Sequence, residues 1–351
     1  MTDVAPAESL SVRGGPVISA RMAAILPPFL ALLYPLAVWG LFASASLMRE
    51  AEGTTKIAAL YGATASLLCA AIPSLVSFAM LVGHNGREGY SGTRWITLLA
   101  FAAPALFTVE RVIAAGFRWT FDDRLVWIVV WVALTAIAAA GRERKARLQP
   151  AWTGRLRFAH GVSAAVILAL FLIAHLGNHF IGLLGTDLHI QVMEMLRVWY
   201  RSGIVEPVIV ALFLFQVASG VWLASIRQYA PNDPFRMLQV ATGVGVAAFL
   251  SAHMLVIFIV ARWGVGIDTN WVFATGFKVG LLGNLSNARQ VPYYLFATFV
   301  TIAHLACGLR VVLLAHSWRI AITNRIAVGI IVSGGVFAIA TVAGMLGLRL
   351  G

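Results

Sequence analysis

Nine apolar runs dominate this chain: roughly 22–47, 57–83, 95–116, 125–141, 158–184, 204–225, 238–261, 291–316 and 326–348. A helix needs about 20 mainly apolar residues to cross a bilayer, and most of these runs supply that. Inside hydrocarbon every backbone polar group must find its partner within the protein, which leaves helices as the reading for runs of this length. The expected fold is therefore all-α and polytopic, with about nine transmembrane helices. Composition agrees, since 60% of the residues are hydrophobic and only 11% are charged, against about 25% charged in soluble domains.

The net charge of +12 does not imply nucleic acid. The basic residues sit in short loops between runs, where membrane topology accounts for them. The partner that this surface implies is the lipid bilayer. Cys69 and Cys307 both fall in apolar runs and give neither a disulfide framework nor a C-x-x-C-H haem attachment site. The first apolar run is too long for a signal-peptide core, so the N-terminus reads as retained.

The loop RERKARLQPAWTGRLR, residues 142–157, carries six basic residues against Glu143. Positive loops remain cytoplasmic. Alternation from there puts the N-terminus in the cytoplasm and the C-terminus outside a bacterial-type inner membrane. The same loop divides the chain. A polar tail (1–21) and a four-helix region poor in polar residues (22–141) precede it, and a five-helix domain (158–351) follows. The five runs of that domain carry His160, His175, His179, His253, His304 and His316.

Near mid-span, four consecutive runs of this domain carry His175, Gln216, His253 and His304. At 1.5 Å rise per residue, His175 and His253 lie about 26 and 22 Å from the inner ends of their helices. Gln216 and His304 lie about 15 and 18 Å from theirs. Depth thus pairs His175 with His253, and Gln216 with His304. Two imidazoles at one depth on different helices meet the requirement for bis-histidine haem ligation. A histidine hydrogen-bonded to a neighbouring helix meets the depth equally well, and the pattern leaves both open. Gly220 and Gly308, each one turn beyond a polar residue, would let a porphyrin or a helix approach closely.

The last five runs resemble the single-chain, five-helix, two-haem cytochrome b anchor of succinate:quinone and fumarate:quinone oxidoreductases. The resemblance covers residues 155 to 349. It begins at RLRFAHGVSAAVILALFLIAHL, with His160 and the ligand position His175. It continues at LQVATGVGVAAFLSAHM with His253 and ends at TIAHLACGLR with His304. It implies a haem-binding bundle, haem b as cofactor, quinone as electron partner and soluble or membrane redox subunits as further partners. Such a subunit transfers electrons and need not be catalytic itself. The family's remaining ligand position is occupied here by Gln216 in FQVASG. One haem, held by His175 and His253, is therefore expected, with His304 left alone at the second position. The four N-terminal helices have no counterpart in the family. A haem-free structural or assembly subunit is the alternative function.

His179 lies one turn beyond His175, about 5.4 Å along the helix, and cannot bind the same iron. It is expected to bond a propionate, a quinone carbonyl or the neighbouring outer loop, and Asn178 to bond backbone or a neighbouring helix. Loop residues 186–207 contain a helical apolar spacing of Leu188, Val192, Met195 and Leu196, offset from His189, Glu194, Arg197 and Arg201, with Trp199 and Tyr200 at headgroup depth. That predicts an interfacial helix over the outer haem, with its arginines on a solvated face. Segment 262–290 would fold over the same site, Asp268 and Asn270 capping a short helix. Glu110 and Arg111 fall inside the third run and, being adjacent, must point apart, so one is expected to meet the interface, with a proton path as the lesser reading. His84 and His316 sit at inner helix ends.

Overall fold

The computed structural model describes residues 19–83, 93–120, 122–141, 152–227 and 233–350. His84, the polar tail up to residue 18 and positions 142–151 of the basic loop lie outside them. Among the described residues the chain is entirely helical: α1 (Ala20–Leu32), α2 (Tyr34–Glu50), α3 (Gly53–Gly83), α4 (Arg94–Phe101), α5 (Ala103–Gly116), α6 (Asp123–Ala140), α7 (Thr153–Ile167), α8 (Ile173–Ile181), α9 (Thr186–Tyr200), α10 (Val205–Arg227), α11 (Pro234–Met254), α12 (Trp271–Ala274), α13 (Leu285–Ala288), α14 (Gln290–Ala315) and α15 (Ile320–Met345). Eight stretches are long and apolar enough to cross a membrane, and α4 with α5 makes a ninth. The protein is thus a multi-pass membrane protein. Large apolar side chains such as Leu36, Tyr61, Leu68, Val129 and Trp263 are exposed outward, toward lipid.

The third run is not one straight span, as its hydropathy suggests. It bends by 78° between α4 and α5. Pro104, in the first turn of α5, has no N–H to give the preceding turn. The Ala105 N–H turns to the Ala102 carbonyl, so the Phe101 carbonyl loses its place in the ladder. Ser74 of α3 replaces it, donating to the Phe101 oxygen at 2.7 Å. A broken helix is tolerated at membrane depth only where neighbours re-satisfy its freed groups, and Ser74 does so here. The bent pair still crosses. Leu98 packs with Leu81 and Val240 at one face, while Gly116 lies against Val260 near the other.

The second half forms a closed ring. Helix α7 contacts α10, α10 contacts α11, α11 contacts α14, α14 contacts α15, and α15 returns to α8. The N-terminal helices pack on the outside of this ring, against α11 and α14, through Leu81, Leu98, Phe101, Val240, Val244 and Val300. One face, here the lid face, gathers the ends of several helices. The Leu350 N–H donates to the Leu183 carbonyl at 2.9 Å, and Arg49 donates to the Leu282 carbonyl at 3.1 Å. At the opposite face Arg310 donates to Asn324 at 2.8 Å and to Asp233 at 3.1 Å. Helix α7 begins there at Thr153, so Arg155 and Arg157 stand on its first turn and not in a loop.

Ser74→Ala should leave the Phe101 carbonyl buried without a donor and cost about 1–3 kcal/mol. Denaturant unfolding in detergent checks this, and an unchanged transition would show that the break does not depend on Ser74.

Candidate functional site

The closed ring encloses a cavity of about 290 Å³. His175, Gln216, His253 and His304 all line it, together with aromatic walls from Phe171, Phe213, Phe249 and Phe273. The sequence offered these four polar residues as two depth pairs, and the structure treats the pairs differently.

His175 and His253 face one another across the cavity, with ring centroids 6.1 Å apart. Neither makes a hydrogen bond among the described residues. Phe171 stacks on His175 at 4.7 Å, and Phe249 on His253 at 5.3 Å, so each imidazole is held by an aromatic face and not by a polar partner. A π-helical run adjoins each histidine: Leu168–Leu172 precedes His175, and Leu255–Val265 follows His253. Such wide turns rotate the side chains that follow and occur frequently at functional sites.

Gln216 and His304 do not meet. The Gln216 amide donates to the His160 carbonyl at 2.8 Å and to the Ser163 hydroxyl, which ties it to α7. His304 Nδ1 lies 3.0 Å from the Gln239 carbonyl, so that nitrogen carries the proton and Nε2 keeps its lone pair. Gly243 makes the close approach possible, because a Cβ there would stand 3.0 Å from His304 Cε1. Of the two glycines expected to admit a porphyrin or a helix, Gly220 admits helix α7 and Gly308 admits no neighbour. A Cβ at Gly220 would meet His160 at 3.4 Å, and Gly308 faces open space. His160 itself contacts the Ser219 hydroxyl at 2.7 Å.

The lid-face end of the cavity is polar. Asn178 Nδ2 lies 3.3 Å from His189 Nε2, which realises the neighbouring-helix bond expected of Asn178. Four buried atoms there have no partner among the described residues: Asn178 Oδ1, His179 Nδ1, His189 Nδ1 and Thr341 Oγ1. All four residues are cavity-lining. Trp271 of segment 262–290 closes this end, 4.1 Å from His189 between ring centroids. It sits over Gly182, where a Cβ would clash at 2.2 Å. So segment 262–290 does fold over the site. Asn270 caps α12 through a 3.1 Å bond from the Phe273 N–H.

Helix α9 is the interfacial helix that the spacing predicts, with one correction. Leu188, Met195 and Trp199 are exposed, whereas His189, placed on the polar side, is buried at 2% exposure. Positions 189, 193 and 197 recur every four residues, and this stripe is the signal that marks the inward face. Arg197 and Arg201 are not on a solvated face either. Arg197 pairs with Asp268 at 3.0 Å and donates to the Thr269 carbonyl at 3.0 Å. Arg201 donates to the Thr269 hydroxyl at 2.8 Å. Together they strap loop 266–270 onto α9. Arg262 adds a two-point pair with Glu206, which no sequence spacing signalled.

In the N-terminal region Glu110 is turned inward and Arg111 outward, as adjacency required. His316 is exposed and contacts the Val312 carbonyl at 2.9 Å. Among the described residues no three His, Cys, Asp or Glu side chains converge to hold a metal ion. No family model, curated protein or solved structure matches this chain.

Burial, and then the positive charge of Arg197, lower the His189 pKa from the ordinary 6.5 to about 4. Between those values the unfolded chain binds a proton that the folded one refuses, so stability falls as pH falls. The slope is at most about 1.4 kcal/mol per pH unit for this group. Thermal midpoints measured from pH 6.5 down to 4 should fall less in His189→Gln than in the parent protein. Equal falls would remove His189 as a contributor.

Proposed function

We propose that this chain is a membrane b-type cytochrome that carries electrons between a quinone pool and a partner protein, with one haem between His175 and His253. The observation that carries the reading is the pair of unbonded imidazoles 6.1 Å apart across an apolar cavity. With metal–imidazole bonds of about 2 Å, two rings on opposite sides of one iron have centroids roughly 6 Å apart. The residues present therefore fit the group. Haem bound there would supply reversible one-electron chemistry.

The chain's own contributions follow from its packing. Phe171 and Phe249 fix the planes of the two imidazoles. The apolar lining of the cavity favours the less charged, reduced form. Gln216 supports a count of one: its amide is committed to α7, and a glutamine is a poor axial ligand. His304 has its Nδ1 committed to the Gln239 carbonyl, and the histidine within electrostatic reach of it, His160, is held by Ser219. At the lid-face end the unpaired His179 Nδ1, His189 Nδ1 and Thr341 Oγ1 suit donation to a quinone oxygen, and Asn178 Oδ1 suits acceptance from a quinol hydroxyl. The basic residues on and before the first turn of α7 support a cytoplasmic position for that face, with the lid outside. The succinate and fumarate oxidoreductase anchor is the analogy on which this reading draws, and any dicarboxylate chemistry would belong to other subunits.

Reduced-minus-oxidised spectra and a pyridine haemochrome assay on purified protein should give one haem per chain. His175→Ala and His253→Ala should each abolish the low-spin signal, whereas His179→Ala should retain it. Two haems, or loss of haem from His179→Ala alone, would contradict the ligand assignment. Absence of haem from all forms would favour the structural or assembly subunit.

A further inference from the structure

The N-terminal region holds a second group of unsatisfied polar atoms, far from the histidines in sequence. Tyr34 Oη, both carboxylate oxygens of Glu110 and Arg289 Nε are buried and lack hydrogen-bond partners among the described residues. They gather around one ring, Phe107. The Tyr34 ring lies 5.6 Å from it at a steep angle, and the Arg289 guanidinium lies 4.5 Å above its face. Glu110 follows three residues later, on the same side of α5. Arg289 is 5% exposed and Tyr34 1%. Buried polar atoms are rarely left unpaired, so four in one place call for an explanation.

Charge counting supplies it. Arg289 is the buried cation of this group, and Asp123 already takes it, at 2.9 Å through Nη1. The same nitrogen also reaches the Phe107 carbonyl at 3.4 Å. The charged groups that face Glu110 are Asp123 and Asp122 from α6, and Arg289 from the residue before α14. The backbone N–H of Trp127 approaches it without completing a hydrogen bond. Arg111 is exposed and acts on Arg289 only at a distance. Among the inward-facing groups, two carboxylates therefore share one guanidinium, and one negative charge is left over. A metal ion does not balance it, because no three suitable ligands converge among the described residues. A carboxylate that is buried without a counter-charge takes up a proton instead.

We propose that Glu110 is a hydrogen-ion-binding site, and that its carboxyl exchanges the proton at the lid face, where α6 begins with Asp122 and Asp123. The site joins the two halves of the molecule, since its members come from α2, α5, α6 and the start of α14. It stands independently of the haem reading and gives the four N-terminal helices a chemistry of their own.

Infrared difference spectra of the full-length protein in detergent, recorded in light and heavy water at neutral pH, test it. The parent protein should show a protonated-carboxyl band that shifts with deuteration and is missing in Glu110→Gln. A carboxyl that keeps its proton when folded and loses it when unfolded makes stability fall as pH rises. The parent thermal midpoint should therefore decline as pH rises above about 4.3, where the unfolded carboxyl ionises, while that of Glu110→Gln stays flat, matching the parent at acid pH and exceeding it at neutral pH. Glutamine is a neutral isostere, so a Glu110→Gln protein that failed to fold would overturn the proposal. So would a lowered midpoint at neutral pH, or a carboxyl band that survives the substitution.

Discussion

In an apolar slab every polar group must be satisfied by the protein or by something the protein binds, and this constraint organises the whole molecule. The helices satisfy their own backbones. Where α4 and α5 break the ladder, Ser74 reaches over to the freed Phe101 carbonyl. Where side chains are polar at depth, most are tied to a neighbouring helix: Gln216 to α7, His304 to α11, Trp127 to the Ala31 carbonyl at 3.0 Å. Against that background the unpaired groups stand out, and apart from Ser77 Oγ and Arg197 Nε they fall in two places among the described residues. One is the cavity with its facing imidazoles and its unpaired lid-face end. The other is the Glu110 cluster.

The cavity is shaped by departures from regular structure. The π-helical runs beside His175 and His253 widen two of its helices, and aromatic faces then set the imidazole planes. The lid depends on a different kind of contact. Loop 266–270 is strapped to α9 by Arg197 and Arg201 and carries Trp271 into the cavity mouth through the space left by Gly182. The core of the site is thus apolar and preformed, while its cover is held by half-buried arginines paired with the exposed Asp268, contacts that salt weakens. Opening for a ligand would draw on the lid and spare the walls.

Much of this was legible in the sequence. Length and hydropathy marked eight spans and the bent α4–α5 pair, and the rise of a helix brought His175 and His253 to one depth without any structure. The same arithmetic failed for Gln216 and His304, because equal depth says nothing about which way a side chain turns, and each found a nearer partner on another helix. Hydropathy was equally blind to the bend at Pro104, since a bent pair is as apolar as a straight helix. His189 was hidden for a related reason. It belongs to a stripe facing inward, and a search for apolar periodicity selected the opposite, lipid-facing stripe of α9. The Arg262–Glu206 pair joins residues far apart in the chain, where no local pattern operates.

On the proposed reading His175 and His253 would together hold one haem. Electron paramagnetic resonance of the air-oxidised protein at low temperature addresses this most directly, because the ferric signal reports the two axial ligands themselves. The account predicts a single low-spin species with two imidazole ligands, giving way to high-spin or iron-free protein when either histidine is removed. A wild-type protein with no ferric signal, or a low-spin signal that persists without His253, would contradict it.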